Sequence, residues 1–250
     1  LDQLPGQTNI KYWFSDKEFP RYFTLSPYFT RLLGTYFAEG HCRQNKTTRQ
    51  VSFRVCHPSL IDDLVLLIKT CFNLEPALEE NNTKITISHS VIHTLFKYVL
   101  KTGTNAKNKQ FPSLIYQLPD EHVLEFISAY LDGDGSIIPE RNALCLYSAN
   151  RSLLDDFALL LTRFHVIGRY STTAERLPGK ALLDRYLELG LPPKKFRLHH
   201  FVINGKDVHT LGTKLTLYHP EKKIKLQNIL MTATGSRLIK VNHTFQQFHS

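Results

Sequence analysis

Two acidic residues occupy matching positions in two similar nine-residue segments. Residues 32–40 read LLGTYFAEG and residues 127–135 read ISAYLDGDG, so Glu39 and Asp134 each precede a glycine. Like charges brought side by side favour a bound divalent cation, which suits phosphodiester hydrolysis because it polarises the phosphate and activates water. The helix dipole disfavours an acid at a helix C-terminus, and here this occurs twice. We therefore predict a metal site shared by Glu39 and Asp134.

Small residues would allow the two helices that carry these acids to pack closely. Gly34 and Ala38 lie four residues apart in the first segment, as do Ala129 and Gly133 in the second. Residues at this spacing share one helix face, which here becomes a narrow flat strip. Packing the two strips together would bring the acidic ends of both helices side by side.

Each of these helices has its own start signal. Ser26 and Pro27 provide an N-cap followed by a proline at the first helical position, and Pro119 is followed by two acids. An alternating run follows each helix, residues 50–55 in the first case and Ala143–Tyr147 in the second, which predicts half-buried strands.

The similarity continues into segments that predict further helices and strands. Two helices begin with Ser-Leu-x-Asp-Asp, and each is followed by a strand with outward basic residues and by another helix. In the order first half, second half, these are Ser59–Phe72 and Ser152–Phe164, Lys84–Ser88 and Lys195–Ile203, and Val91–Leu100 and Asp207–Leu215. With a boundary near Pro112–Pro119, the predicted divisions are an N-terminal extension (1–25), two subdomains (26–115 and 116–240) and a tail (241–250).

Composition limits the classes of partner and compartment. The chain has a net charge of +9, and residues 191–240 hold ten Lys or Arg against two acids, which favours a polyanionic partner without distinguishing it from a merely basic protein. Cysteines at 42, 56, 71 and 145 lack the spacing of a disulfide framework or a zinc site. With no long apolar run or leader, we expect an intracellular protein, with DNA, that is neither secreted nor in a membrane.

The paired segments resemble the two motifs of the single-chain LAGLIDADG homing endonucleases, over roughly residues 26–230. The resemblance implies an α+β fold of two pseudo-symmetric αββαββα subdomains, each with a four-stranded antiparallel saddle sheet, packed through the motif helices. It also implies that Glu39 and Asp134 are catalytic and bind the metal. Asp132 aligns with Phe37, so we expect Asp132 only to cap or to form an ion pair.

Lysines flank the active site in this family. The segment Lys109–Pro112 (KQFP) resembles the intein-associated branch and makes Lys109 the candidate in the first half, and the segment 219–223 contains its counterpart, Lys222, with Lys223 close behind. Such lysines position or activate water, or neutralise charge on the phosphate. The alternative for each is a nonspecific phosphate contact or a solvated charge.

Base recognition would come from outward residues of the strands, since alternating donors and acceptors can enter the major groove. The candidates in the first half are Arg43, Gln44, Asn45, Arg49, Gln50, Ser52 and Arg54, and those in the second half are Ser136, Glu140, Arg141, Asn142, Tyr147, Lys195, Arg197 and His199. About half are expected to be solvated or to contact phosphates. Cys56-His57 and His199-His200 are expected to be structural or to contact DNA.

These observations predict a monomeric, Mg²⁺-dependent endonuclease, needing no protein partner, that cuts one phosphodiester in each strand of a long, partly asymmetric double-stranded DNA site; Ca²⁺ or Mn²⁺ could replace Mg²⁺ in the site. The alternative is a non-cleaving protein of the same fold, an intron RNA maturase or a DNA-binding regulator. An intact intein is disfavoured because Leu1 and Phe248-His249-Ser250 supply neither the nucleophile nor the His-Asn pair of splicing. Intron and intein origins both stay open.

Overall fold

The computed structural model describes residues 9–11, 18–20, 22–175, 177, 180–193, 195 and 197–232. The predicted tail, 241–250, and parts of the predicted extension and second subdomain lie outside these residues. Among the described residues, no helix is long and apolar enough to cross a membrane.

The first half opens with a short hairpin and then a long helix. Its elements are β1 (Asn9–Ile10), β2 (Phe19–Pro20), α1 (Pro27–Glu39), β3 (Gly40–Gln44), β4 (Arg49–Arg54), α2 (Pro58–Phe72), β5 (Ala77–Glu79), β6 (Lys84–Ile87), α3 (Ser90–Thr94) and a π-helical turn (Leu95–Val99). As predicted, the Ser26 side chain accepts a hydrogen bond from the Phe29 backbone N–H at 3.3 Å and Pro27 begins α1.

The second half repeats this order with additions. Its elements are a 3₁₀ turn (Ser113–Gln117), α4 (Asp120–Asp134), β7 (Gly135–Ile138), a 3₁₀ turn (Pro139–Arg141), β8 (Ala143–Ser148), α5 (Arg151–Thr162), β9 (Gly168–Thr172), α6 (Lys180–Glu188), β10 (His199–Asn204), α7 (Lys206–Gly212) and a last helix, α8 (220–232). No residue range was predicted for β9, although the implied four-stranded sheet requires this strand, and α6 was not predicted. Strand β10 begins at His199 rather than at Lys195.

Each half contains one four-stranded antiparallel sheet. The strand orders are β3-β4-β6-β5 and β7-β8-β10-β9, so the central pair in each sheet follows the same plan. The inner faces pack on helices through buried side chains such as Val51, Phe53, Leu144 and Leu146. The predicted α+β class and the pair of pseudo-symmetric units are confirmed.

Helices α1 and α4 pack against each other along their length and join the two halves. A Cβ atom added to Gly34 would collide with the Phe126 carbonyl oxygen and lie 2.8 Å from the Ala129 Cβ. One added to Gly133 would lie 2.5 Å from the Ala38 Cβ. Both approaches are too close for a larger residue, so the small residues determine how near the helices lie.

Candidate functional site

Glu39 and Asp134 are the last residues of α1 and α4, and each is followed directly by the first strand of a sheet. Both are partly buried. The ideal Cβ position of Gly133, next to Asp134, lies 3.3 Å from the Cγ and Oε1 atoms of Glu39. Close packing of the helices therefore brings the carboxylate of one half against the helix end of the other.

Burial perturbs both carboxylates in the same direction. The pKa of Glu39 is raised from 4.5 to about 7 by desolvation and then by the negative charge of Asp134, while Lys109 and Lys222 oppose the shift. Desolvation raises the pKa of Asp134 from 3.8 to about 6, against the same two lysines. Two partly desolvated carboxylates that share one location are unfavourable together unless a cation compensates them.

Lys109 lies at the end of α1. Its side chain is only 3% exposed, and its amine donates to the carbonyl oxygens of Phe37 at 2.9 Å and Ala38 at 3.4 Å. These carbonyls are in the last helical turn, where the helix has no N–H partners left and where its dipole favours a cation. Desolvation lowers the pKa of Lys109 to about 8, with Asp134 and Glu39 opposing.

Lys222 lies at the corresponding end of α4. Its amine donates to the carbonyl oxygens of Leu131 at 2.9 Å, Asp132 at 2.7 Å and Gly133 at 2.9 Å. Desolvation lowers its pKa, and Asp132, Glu39 and Asp134 oppose the shift. Each motif helix thus ends in one acid and one buried or half-buried lysine, whereas Lys223 is exposed.

The donor chemistry fits a hard divalent cation. Carboxylate oxygens suit Mg²⁺, Mn²⁺ or Ca²⁺, and Mg²⁺ is commonly held by one or two carboxylates with water and phosphate completing its shell. Within the described residues, no group of three or more His, Cys, Asp or Glu side chains could hold a metal. Glu39 and Asp134 would supply two acidic ligands and leave the other positions for water or substrate.

Asp132 makes structural contacts. It forms an ion pair with Arg31 at 2.8 Å and accepts hydrogen bonds from the backbone N–H groups of Tyr218 at 3.0 Å and His219 at 3.0 Å. The aspartate thus holds the segment that leads into α8, as the expectation of a cap or ion pair stated. Arg31 also pairs with Asp63 at 2.9 Å.

The outward face of the first sheet follows from the strand register, because cross-strand partners share a face and side chains alternate along a strand. Arg43 pairs with Gln50 and His41 with Ser52, so these residues and Arg54 lie on the face away from the helices. Arg43 and Arg54 are exposed, although Arg54 forms an ion pair with Glu80. Their role as DNA contacts stays a prediction.

Four candidates of the first half differ in orientation, local structure or burial from the exposed outward position expected of them, and their contact with DNA stays a prediction. Gln44 and Arg49 pair with each other and lie out of phase with Gln50, so they point to the helix side of the sheet. The Asn45 side chain accepts from the Thr48 backbone N–H at 2.6 Å and shapes the turn. Ser52 has the predicted orientation but is 1% exposed, since it sits in the centre of the sheet. Its hydroxyl forms a hydrogen bond with the Thr86 hydroxyl of the neighbouring strand at 3.2 Å.

In the second sheet, Ser136 and Tyr147 lie on the outward face as predicted. Ser136 pairs with Cys145, and Tyr147 pairs with His200, whose ring centroid is 4.7 Å away. Glu140 and Arg141 are exposed in the turn before β8.

The remaining second-half candidates lie elsewhere. His199 alternates with His200, so it faces the helix side and forms a 3.1 Å hydrogen bond with Thr172. Asn142 has a left-handed backbone (φ 46°) and belongs to the turn. Lys195 and Arg197 are exposed but precede β10, so strand alternation does not orient them. The orientation of Lys195 and Arg197 could not be predicted from strand alternation, because the strand starts four residues later than predicted.

The sequence reasoning missed outward residues that the register reveals. His41 aligns with Ser136, which was chosen, and its pKa is lowered by burial and then by Lys109, Lys84, Arg54 and Arg43. His200 and Arg169 also lie on the outward face of the second sheet. Alignment of the two halves could have found His41, but the short β9 gave little signal for Arg169.

Comparisons with known proteins agree with this architecture. Residues 121–215 match the family described as LAGLIDADG-like domain. The DNA polymerase II large subunit of Thermococcus kodakarensis is 33% identical over 191 residues, which are 76% of this chain but 11% of that protein. The RNA polymerase subunit Rpo1C of Methanocaldococcus jannaschii is 28% identical over 157 residues, 60% of this chain and 17% of that protein. The chain thus spans a small part of the curated relatives it matches.

Two solved structures share the fold. The homing endonuclease I-WcaI, bound to its DNA recognition sequence, superposes with a TM-score of 0.54 at 15% identity and covers 82% of this chain and 88% of that one. A variant of I-DmoI, in complex with nicked target DNA and manganese, gives 0.50 at 16% identity, with 75% and 96% covered. At these identities the comparison establishes the fold alone.

Proposed function

We propose that this chain, which has the LAGLIDADG homing endonuclease fold and a LAGLIDADG-like domain at residues 121–215, is a site-specific, divalent-metal-dependent DNA endonuclease. One chain would bind a long, partly asymmetric duplex and hydrolyse one phosphodiester in each strand. Mg²⁺ is the proposed cation. The main support for this proposal is the pair of carboxylates, Glu39 and Asp134, at the ends of two packed helices, with one lysine beside each helix end.

The contribution of the two carboxylates is to bind the cation, because their negative charges are partly buried and unfavourable without one. Desolvation raises the pKa of both Glu39 and Asp134, and the charge of Asp134 raises that of Glu39 further, so a cation is favoured over two protons as pH rises. A divalent cation bound there would act as a Lewis acid on the phosphodiester oxygens. Rigid helix ends keep the two carboxylates in place during the reaction.

The lysines would act on the substrate side of the same site. Helix-end carbonyls hold the amines of Lys109 and Lys222 and restrict where they can move. A fixed ammonium beside the scissile phosphate stabilises the negative charge that develops on its oxygens. With a pKa of about 8, Lys109 can also accept or donate a proton near neutral pH.

DNA binding is supported by the charge on the outward face of the first sheet. Arg43, Arg54 and Lys84 place positive charge around His41 on this face and, in addition to burial, lower its pKa, although Arg54 and Lys84 form ion pairs with Glu80 and Glu79. Such a surface attracts the phosphate backbone and positions the duplex, while side chains between the cations meet base edges. The site and the surface therefore serve one substrate.

The relatives favour an activity separate from the reactions for which they are named. The matched segment forms 8% to 20% of proteins named as DNA polymerases, an RNA polymerase subunit, a translation initiation factor and proteins of iron–sulfur cluster assembly. No reaction is common to these names. A nuclease specific for an insertion site would account for one segment within unrelated polypeptides, and it also fits the resemblance to the intein-associated branch.

Selective cleavage of a partly randomised duplex library tests the proposal. The protein is incubated with the library and Mg²⁺, broken molecules are captured by adaptor ligation, and the enriched site is then assayed as a single duplex. We expect a double-strand break that EDTA prevents. Glu39→Gln and Asp134→Asn should keep binding but slow cleavage by about a hundredfold or more.

Glu121→Gln is the matched control, since Glu121 is an exposed acid at the opposite end of α4. It should cleave at the unmodified rate. Specific binding without cleavage by the unmodified protein, with any divalent cation, would identify a non-cleaving DNA-binding protein instead.

A further inference from the structure

Each candidate lysine reaches its helix end from a segment that is anchored on the opposite half. Lys109 belongs to the first half and Lys222 to the second. Contacts within each half also hold these segments, such as those of Asp132 with the backbone of Tyr218 and His219, but further contacts cross between the halves. The anchors include residues at the N-terminal ends of α5 and α2, which align with each other in the duplication.

The Lys109 segment is held by α5. The Asn150 side-chain amide donates to the Lys109 carbonyl oxygen at 2.7 Å, and its Oδ1 caps α5 by accepting from the Ser152 backbone N–H. Two residues after Lys109, the Phe111 backbone N–H donates to the Asp156 carboxylate of α5 at 3.3 Å. The second half thus fixes the chain from which Lys109 extends to the end of α1.

The Lys222 segment is held by α2 and α1. Ser59 Oγ donates to the Tyr218 carbonyl oxygen at 3.0 Å, and the His57 ring packs on His219 with centroids 4.5 Å apart. Arg31 donates to the Thr216 carbonyl oxygen at 3.1 Å. These first-half residues fix the entry to α8, whose first turn carries Lys222.

From this exchange we propose that Asn150 is a positioning residue for Lys109 and Ser59 is one for Lys222, so that each half organises the lysine of the other. The inference rests on the proposed endonuclease activity. Each lysine stands beside one helix end, and if each acts on the scissile phosphate nearest that end, loss of one anchor should slow chiefly one DNA strand. This arrangement makes the two cuts depend on correct docking of both halves.

Strand-resolved kinetics test the proposal. The selected duplex carries a different fluorophore on each strand, and cleavage is measured for Asn150→Ser, Ser59→Ala, Lys109→Met and Lys222→Met. Serine also caps helices well, so Asn150→Ser removes the amide donor and keeps α5 capped. Asn150→Ser should slow cleavage of one strand by about fivefold or more, and this should be the strand whose cleavage Lys109→Met also slows. Ser59→Ala should slow cleavage of the other strand, the one affected by Lys222→Met, by a similar factor.

Double variants separate positioning from general destabilisation. In the Lys109→Met background, Asn150→Ser should slow cleavage little further, because both changes act through the same amine. In the Lys222→Met background, the effects of the two changes on cleavage should be additive. Ser152→Ala, at the exposed position aligned with Ser59, should leave both strands unchanged. Equal slowing of both strands, or full additivity in every pair, overturns the proposal.

Lysine reactivity gives a readout that does not require cleavage. Acetic anhydride labelling with mass spectrometry, on the protein without DNA, compares the two amines in each variant. Asn150→Ser should raise the reactivity of Lys109 relative to Lys222, and Ser59→Ala should do the reverse. Unchanged ratios contradict the positioning roles, whereas altered ratios in a protein that does not cut DNA would refute only the proposed function.

Discussion

The two sides of the α1–α4 helix pair are built from different chemistry at equivalent positions. The alignment of the two motifs relates Arg31 to Phe126 and Phe37 to Asp132. On one side Arg31 and Asp132 form a 2.8 Å ion pair, and on the other Phe37 and Phe126 pack with ring centroids 5.5 Å apart. The duplication therefore kept the close helix contact and replaced one pair of partners completely.

The ion-pair side and the aromatic side of the helix pair depend on different kinds of neighbouring residue. Arg31 also contacts Asp63 and Glu125, so its guanidinium links both halves through three carboxylates. Phe37 and Phe126 need only neighbouring rings, which Phe111 supplies at 5.2 Å and 4.9 Å. A buried ion pair contributes little net stability but is costly to break, whereas an apolar pair loses stability gradually when trimmed.

The largest effect is expected from Arg31→Met, which keeps the length of the side chain but leaves Asp132 and Asp63 without their cation. The free energy of unfolding should fall by about 3–5 kcal/mol, as for other buried pairs that lose one partner. Urea unfolding monitored by circular dichroism measures it. Arg54→Met is the control, since the ion pair of Arg54 with Glu80 is exposed and its loss should change stability by less than about 0.5 kcal/mol.

A smaller loss is expected on the aromatic side. Phe126→Leu reduces ring contacts with Phe37, Phe111 and Phe157 but leaves no charge uncompensated. The free energy of unfolding should fall by about 1–2 kcal/mol in the same urea experiment. A loss as large as that of Arg31→Met would show that the two sides contribute to the interface in the same way, contrary to the comparison.

The sequence predicted the symmetric features of this interface and missed those that depend on register. The helix starts, the small-residue strips and the acids at 39 and 134 could be predicted because each has a local pattern. The burial of Ser52 and the orientation of His199 could not be predicted, because they depend on strand partners and on where a strand begins. Arg31 was not singled out because its three acidic partners lie 32, 94 and 101 residues away in sequence.

At the acidic helix ends, no guanidinium of the described residues pairs with Glu39 or Asp134, whereas Arg31 pairs with Asp132. We therefore expect the stability of the protein to depend on the protonation of these two carboxyl groups, and hence on pH. The pKa of Glu39 in the folded protein, about 7, exceeds its ordinary value of 4.5, and that of Asp134 is about 6 against 3.8. Raised carboxyl values favour the folded state at low pH, and this stabilisation is lost as pH rises through about 6 to 7. Without metal, stability should therefore fall between pH 4.5 and pH 7.5.

Thermal unfolding in EDTA at each pH measures this dependence. Glu39→Gln removes the larger shift and should flatten the curve, while Mg²⁺ should restore stability in the unmodified protein at pH 7.5 and do little at pH 5. A steep loss that persists in Glu39→Gln with Asp134→Asn would assign the dependence to other groups.

The smallest effect concerns the strip of small residues that both sides share. Gly133→Ala would place a methyl group against the Ala38 Cβ and beside Glu39, so the helices must separate slightly, at a cost of about 1 kcal/mol. Ala38→Gly made together with Gly133→Ala moves the methyl group to the other helix and should recover most of this stability. Urea unfolding compares the two variants. If the double variant is no more stable than Gly133→Ala, the spacing of the helices is not limited by this contact, and closeness at the acidic ends must come from the Arg31 and phenylalanine sides instead.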